Sequence, residues 1–105
     1  MEKIVRQGIL YDFYGDLLTE HQKEVYEMLV NENLSQTEIA DRMKISRQAV
    51  HDLLKRTEDI LEDYESGLGL IARFEKIGRL IDDLEKLTAE NSEAYRLCEE
   101  IKDLL

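Results

Sequence analysis

The chain has 105 residues, of which 43% are hydrophobic and 36% are charged, and it carries a formal net charge of -10 with no proline or tryptophan. A chain of this length supports one modest core, so any long peripheral helices would need partners to cover them. It has no apolar run of the roughly 20 residues that a membrane span requires and no signal-peptide core, so we expect a cytoplasmic protein without a membrane partner.

The single cysteine, Cys98, excludes an intrachain disulfide. No histidine and cysteine residues cluster at metal-ligand spacing, so we expect neither a metal site nor a cofactor. Cys98 itself lies at an apolar position of a predicted helix, where a small buried hydrophobic residue is the simplest interpretation.

A first helix is predicted over residues 2–14, where apolar and aromatic residues recur at helical spacings around Gly8. Gly15 follows this segment and is expected to end the helix. The residues of the predicted apolar face are Ile4, Val5, Tyr11 and Tyr14.

Two capping boxes predict the next two helices. Thr19 with Gln22 forms a T-x-x-Q pattern, which opens a helix that ends near residues 31–33. Ser35 with Glu38 forms an S-x-x-E pattern, which opens the short helix TEIADRM. Ser46 is expected to cap a fourth helix that continues to about Glu65.

The segment SGLG at residues 66–69 is the glycine cluster of the chain and is predicted to be a hinge. Beyond it, apolar residues follow the 4, 3, 4, 3 spacing of a heptad seam, and Asn91 or Ser92 can cap a last helix. We therefore expect residues 70–105 to form a helical oligomerisation segment, with a homodimer favoured. The interface residues predicted on this basis are Leu70, Phe74, Ile77, Ile81, Leu84 and Ile101.

Residues 35–56, SQTEIADRMKISRQAVHDLLKR, carry the pattern of a helix-turn-helix motif. Ala40 is the small residue where the two helices cross, and Ile39, Ile45 and Val50 are expected to seal the corner. Lys44 occupies the turn position that favours a left-handed backbone, which costs a non-glycine residue roughly 1 kcal/mol. The sequence therefore predicts an all-α protein, with a helix-turn-helix domain over residues 1–65 followed by amphipathic C-terminal helices.

The second helix of the motif would present its first turns to double-stranded DNA. Arg47 can donate two hydrogen bonds to a guanine edge, and Gln48 can pair with adenine, whereas Lys55 and Arg56 are better placed for phosphates. His51 has no companion residue at a catalytic spacing, and it is interpreted as an exposed helix residue that faces DNA. The predicted DNA-binding residues are Gln36, Thr37, Ser46, Arg47, Gln48, His51, Lys55 and Arg56.

The distribution of charge separates this motif from the rest of the chain. Residues 35–56 hold five basic and three acidic groups, a net charge of +2, whereas residues 57–105 hold six basic and 14 acidic groups, a net charge of -8. An acidic protein attracts DNA weakly, so specific binding would depend on good base contacts.

With the preceding helix TEHQKEVYEML, the motif resembles sigma factor region 4 and response-regulator DNA-binding domains. Over nearly the whole chain, the stretches LYDFYGDLLTEHQKEVYE and LSQTEIADRMKISRQAVHDLLKRTEDILEDYE and the acidic C-terminal helices resemble the YlxM family of bacterial helix-turn-helix proteins. Members of that family are typically encoded beside the genes of the signal recognition particle GTPase. The resemblance therefore implies a regulatory role linked to that secretion pathway, with residues 46–56 as the recognition helix.

Two functional hypotheses remain open at this point. The first is a DNA-binding regulator that dimerises through its C-terminal helices, and the second is an adaptor that docks protein or ribonucleoprotein components of the signal recognition particle pathway. Tyr11, Phe13 and Tyr14 lack the interleaved basic residues of a stacking platform for single strands, so they are expected in the core or an interface. No phosphate loop, nucleophile elbow or H-E-x-x-H pattern occurs, so we expect no enzyme and no small-molecule substrate.

Overall fold

The computed structural model describes residues 2–105, which form six α-helices and one turn of 3₁₀ helix and contain no strand. This confirms the predicted all-α class. The chain divides into two compact units, Met1–Gly69 and Leu70–Leu105. The helices are α1 (Lys3–Tyr14), α2 (Glu20–Val30), α3 (Gln36–Met43), α4 (Arg47–Leu68), α5 (Leu70–Leu87) and α6 (Ser92–Asp103), with the 3₁₀ turn at Gly15–Leu17.

Helix α4 is the centre of the first unit, because α1, α2 and α3 all pack against it. Every helix of this unit contributes fully buried side chains to one core, and burial of such a side chain contributes about 1.5–3 kcal/mol. The largest of these core residues are Leu10, Tyr14, Val25, Tyr26, Ile39, Val50 and Leu61.

The inner face of α1 differs from the predicted one. Ile4 and Val5 are exposed, and the buried residues of this helix are Gln7, Leu10 and Tyr14. The prediction that Ile4 and Val5 belong to the packed face is therefore wrong. The apolar residues at the start of α1 are turned away from the core, because Leu10 and Tyr14 occupy the buried face of the helix and polar contacts to α4 flank that face.

Those contacts are made by a row of glutamates on one face of α4, at residues 58, 62 and 65. Arg6 donates through Nε and Nη2 to both carboxylate oxygens of Glu62, at 3.2 and 3.1 Å. Gln7 Nε2 donates to Glu58 at 3.5 Å, and the Tyr14 hydroxyl donates to Glu65. A partly buried carboxylate needs such donors, so these bonds add to the orientation of α1 that the burial of Leu10 and Tyr14 sets.

Gly15 directly follows the last residue of α1, as expected. Its φ of -57° is right-handed, and the chain passes through it from α1 directly into the 3₁₀ turn. A Cβ atom built on Gly15 would lie 2.8 Å from Cε1 of the Tyr11 ring. Close packing beneath the Tyr11 ring, and not a left-handed backbone, therefore favours glycine at this position.

Both predicted capping boxes are present. The Thr19 side chain accepts from the backbone N–H of Gln22, and the Gln22 side chain accepts in return from the backbone N–H of Thr19. Ser35 and Glu38 form the same reciprocal pair at the start of α3.

Helix α4 continues past the predicted end at about Glu65. It ends at Leu68, and Gly69 adopts the left-handed conformation, with a φ of 64°, that closes many helices. The backbone N–H of Gly69 donates to the Glu65 carbonyl at 2.8 Å, which satisfies one of the last carbonyls of the helix. Of the predicted hinge segment 66–69, only Gly69 therefore lies outside regular helix.

In the second unit, α5 and α6 pack against each other, and Asn91 caps α6 by accepting from the backbone N–H of Ala94. Cys98 is buried, as expected. Lys102 of α6 is held by Asp82 and Glu85 of α5, at 3.1 and 2.8 Å, and these carboxylates raise the pKa of the Lys102 ammonium.

The predicted seam residues fall into three classes of exposure. Ile81 is buried, with 6% of its surface accessible. Leu70, Phe74 and Ile77 are half-buried, and Leu84 and Ile101 are exposed. Ile81 is therefore not available to a second chain, because it is already buried within this one.

Candidate nucleic-acid interface

The turn of the motif consists of Lys44, Ile45 and Ser46. Lys44 has φ 59° and ψ 42°, and its backbone N–H donates to the Ala40 carbonyl. Ile45 N–H donates to the same carbonyl at 3.2 Å, and Ser46 Oγ accepts from the backbone N–H of Ala49 at 3.0 Å. The predicted left-handed turn and the predicted cap of α4 are thus both observed.

The corner between α3 and α4 is closed by Ile39, Ala40 and Val50, all of which are buried. Ile45 is 39% exposed, so the prediction that it seals this corner is wrong. The chain reverses direction at the left-handed residue Lys44, and this reversal leaves Ile45 on the outer side of the turn.

The first turns of α4 present polar side chains away from the core. The helix buries Val50, Leu54, Thr57 and Leu61 along one stripe. Residues 48, 52 and 55 lie on the opposite side, since 3.6 residues complete one turn. Of the eight predicted DNA-binding residues, Gln36 is half-buried and the other seven are exposed.

Four of those predicted residues line one shallow cavity of about 360 Å³, formed where α3 begins beside α4: Gln36, Arg47, Gln48 and His51. Gln36 Nε2 lies 3.4 Å from Nδ1 of His51, which joins the two helices on their exposed side. The structure does not bring Arg56 to this cavity. Arg56 follows Arg47 by about two and a half turns and therefore points to the other side of α4.

A second cavity of about 280 Å³ borders the first and shares Gln36 and His51 with it. Lys55 lines this cavity together with Lys3 of α1. Lys3 was not among the predicted residues. It is far from the motif along the chain, and the sequence gives no sign that the start of α1 lies beside this cavity. The surface next to the recognition helix therefore has a second basic group.

Carboxylates neutralise part of the positive charge of the motif. Lys55 Nζ lies 3.0 Å from Asp59 Oδ1, and this hydrogen bond raises the pKa of Lys55. Arg42 of α3 pairs with Glu32 at 2.8 Å. Within residues 2–105, Arg47 and Arg56 form no ion pair with a carboxylate.

Asp52 is a further residue of this face that was not predicted to have a role. It accepts a hydrogen bond from the Gln48 side chain at 3.0 Å. The signal in the sequence was the i, i+4 spacing of Gln48 and Asp52, which places the two side chains next to each other on a helix.

The part of the chain that the structure describes contains neither a metal-ligand cluster nor a membrane-spanning helix. No group of three or more His, Cys, Asp or Glu side chains there is arranged to hold a metal ion. None of the described helices is both long enough and apolar enough to cross a membrane.

Comparison with known proteins identifies a family. The family UPF0122, described as "Putative helix-turn-helix protein, YlxM / p13 like", matches residues 1–102. A UPF0122 protein of Symbiobacterium thermophilum is 44% identical over 86 residues, which cover 82% of this chain and 80% of the relative. UPF0122 proteins of Bacillus thuringiensis and Bacillus mycoides are each 40% identical over 108 aligned positions, covering 99% of this chain and 98% of the relative.

The family description names a helix-turn-helix protein and no enzymatic activity. It agrees with the two-helix motif at α3 and α4 and with the resemblance that the sequence shows. The chain belongs to the UPF0122 family of YlxM / p13-like helix-turn-helix proteins.

Proposed function

We propose that this protein is a DNA-binding regulator that reads double-stranded DNA through the first turns of α4. The observation that carries the proposal is the shared exposed surface of Gln36, Arg47, Gln48 and His51, which lies outside the buried stripe of α4. A recognition helix needs this arrangement, because its N-terminal residues must reach base edges in the major groove while the remainder anchors it to the domain.

The side chains on this surface divide into base readers and phosphate contacts. The guanidinium of Arg47, which forms no ion pair within residues 2–105, is suited to the O6 and N7 acceptors of guanine. The Gln48 amide is suited to adenine, and each contact contributes about 1–3 kcal/mol of discrimination. Lys55 and Lys3, beside the second cavity, are suited to backbone phosphates.

A second copy of the chain is the proposed partner of the C-terminal unit. Its two helices contain three buried apolar residues, Ile71, Ile81 and Cys98, and leave leucines exposed at i, i+4 and i+7 on α5. Two helices with so small a core would be stabilised by burying these exposed residues against the same two helices of a second copy, as in a four-helix bundle. The exposed residues that would enter it are Leu80, Leu84, Leu87, Leu97, Ile101 and Leu104.

A symmetric dimer would carry two recognition helices. If they lie roughly 34 Å apart, they can enter successive major grooves of a near-palindromic site. The net charge doubles with the dimer, so binding without specific base contacts is expected to be weak at physiological salt.

An adaptor role is the second candidate, and the charge of residues 57–105 favours it. Their net charge of -8 suits a basic partner surface, and the family resemblance points to components of the signal recognition particle pathway in the cytoplasm. In this role the helix-turn-helix unit would serve as a docking surface without specific DNA binding.

Selection of bound duplexes from a random library, with the full-length protein, tests the leading proposal. We expect one sequence class to be enriched, and we expect the Arg47→Ala, Gln48→Ala double variant to lose that enrichment. Arg73→Ala, which changes an exposed arginine of α5, serves as the matched control and should enrich the same class. Failure of the intact protein to enrich any sequence would overturn DNA reading and favour the adaptor.

A further inference from the structure

The side chains of Gln48 and Asp52 form a hydrogen bond on the outer side of the recognition helix. Gln48 Nε2 donates to Asp52 Oδ1 at 3.0 Å, and both residues are exposed. They lie one turn apart and opposite the buried stripe of α4, so this bond lies on the surface that would enter the major groove.

Asp52 has two residues within reach on its side of the helix, Gln48 and Arg56, and it contacts only the first of them. Arg56 follows Asp52 at i+4, in the order that favours an ion pair on a helix. Within residues 2–105, however, Asp52 forms no ion pair, and the hydrogen bond that it accepts comes from the neutral Gln48 amide. The carboxylate is therefore bonded to the predicted adenine reader and not to Arg56, one turn further along the helix.

The bond determines which way the amide faces. An ionised carboxylate only accepts hydrogen bonds, so it binds the nitrogen of the Gln48 amide and repels the oxygen. After one N–H is used, the amide retains one N–H and its carbonyl oxygen. Adenine presents an N7 acceptor and an N6 donor in the major groove, which match that remaining pair.

We propose that Asp52 is a positioning residue that holds the Gln48 amide in the orientation that reads adenine. The proposal rests on the proposed DNA-binding function and specifies the base recognised at this position. Fixing the amide before contact reduces the side-chain entropy lost on binding. The same carboxylate repels phosphates, so it also lowers the affinity for non-specific DNA.

Two substitutions of Asp52 separate its charge from its hydrogen bond. Asp52→Asn removes the charge and keeps an oxygen that accepts from Gln48, whereas Asp52→Ala removes both. The readout is the affinity of the full-length protein for the selected duplex and for a duplex with guanine in place of the adenine, at one salt concentration.

We expect both variants to bind non-specific DNA more tightly than the unaltered protein. Asp52→Ala should lose adenine preference, by about threefold or more out of a preference of about tenfold, the scale of one bidentate base contact. Asp52→Asn should lose less, because the Asn oxygen still accepts from Gln48, although the Asn N–H groups can also bind the oxygen of a flipped Gln48 amide. In a Gln48→Ala background, Asp52→Ala should produce no further loss of preference.

Asp59→Ala is the matched control, because Asp59 accepts from Lys55 at the same i, i+4 spacing. It should raise non-specific affinity and leave the adenine preference unchanged. Thermal unfolding of each variant checks that the substitution leaves the fold intact.

The outcomes distinguish this inference from the proposed function. Loss of preference in Gln48→Ala together with full preference in Asp52→Ala would overturn the positioning role and leave DNA reading in place. Full adenine preference in Gln48→Ala would overturn the inference, because Gln48 would then not be the residue that recognises adenine. Absence of any enriched sequence with the unaltered protein would overturn the proposed function and this inference with it.

Discussion

Ser35 and Glu38 hold the start of α3 through two reciprocal hydrogen bonds. Ser35 Oγ accepts from the Glu38 backbone N–H at 3.1 Å, and Glu38 Oε1 accepts from the Ser35 backbone N–H at 3.0 Å. The bond from the Ser35 backbone holds the pKa of Glu38 below its ordinary value of 4.5, because it favours the charged carboxylate. The first helix of the motif therefore has a cap that depends on pH.

Because the pKa of Glu38 is lowered, its carboxylate is expected to stabilise the fold at neutral pH and to lose that effect in acid. A carboxylate whose pKa is lower in the folded state stabilises the fold above the unfolded pKa, and this contribution disappears as the pH falls through the folded pKa. We expect Glu38→Gln to unfold at lower urea concentration than the unaltered protein at neutral pH, with the gap closing at pH values below 4.5.

The capping box of α2 provides the control for this measurement. Gln22 occupies the position of Glu38 and forms the same bonds with Thr19 without a titrating group. The loss of stability caused by Gln22→Ala should therefore be the same at neutral pH and at pH values below 4.5. A pH-independent gap for Glu38→Gln would contradict the charge-dependent cap.

Local patterns in the sequence were sufficient to predict the helix starts. Each capping box is contained in four consecutive residues, and the left-handed position of Lys44 follows from the spacing of the motif. The exposed position of Gln48 follows from the same motif, because it lies opposite the face that the helix must bury, and Arg47 and His51 flank that face near the free end of the helix.

Features set by distant contacts could not be predicted in this way. The inner face of α1 depends on packing against α4 and on contacts to its glutamates, such as Glu62, more than fifty residues away. The position of Lys3 beside Lys55 depends on the same packing. The hydrogen bond between Gln48 and Asp52 was compatible with the helix spacing, but the sequence also offered Arg56 as a partner for Asp52.

The backbone at Lys44 supplies the second prediction. Its left-handed conformation costs a residue with a Cβ about 1 kcal/mol, so Lys44→Gly should raise the free energy of unfolding by about that amount. Lys44→Ala removes the same charge and keeps the Cβ, and it should give no such gain. Equal stabilities of the glycine and alanine variants in urea titrations would show that this strain is absent.

The exposed residues of the C-terminal unit supply the third prediction. Leu84 is 46% exposed and Ile101 is 41% exposed, and a dimer would bury both. The double variant Leu84→Glu, Ile101→Glu should sediment as a monomer at micromolar concentration, because charges placed in an apolar interface are costly. The matched control is Leu17→Glu, which alters an exposed leucine of the first unit and should remain a dimer. A monomeric unaltered protein would contradict the proposed interface.

Arg47 and Lys55 are expected to affect DNA binding in different ways. Arg47→Ala should cost about 1–3 kcal/mol and relax the preference at one base pair. Lys55→Ala should weaken binding to all sequences similarly. It should also reduce, by about one, the slope of the logarithm of the binding constant against the logarithm of salt concentration. Lys76→Ala, at an exposed lysine of α5, is the control. Affinities measured over a range of salt concentrations check this, and a sequence-dependent effect of Lys55→Ala would contradict its phosphate role.

The central claim is that the first turns of α4 form the DNA-binding surface, and a nuclear magnetic resonance titration of the full-length protein with its selected duplex tests it most directly. We expect the amide signals that shift to cluster at residues 36–37, 46–48, 51 and 55. Shifts confined to residues 70–105, with the α4 signals unchanged, would contradict the claim.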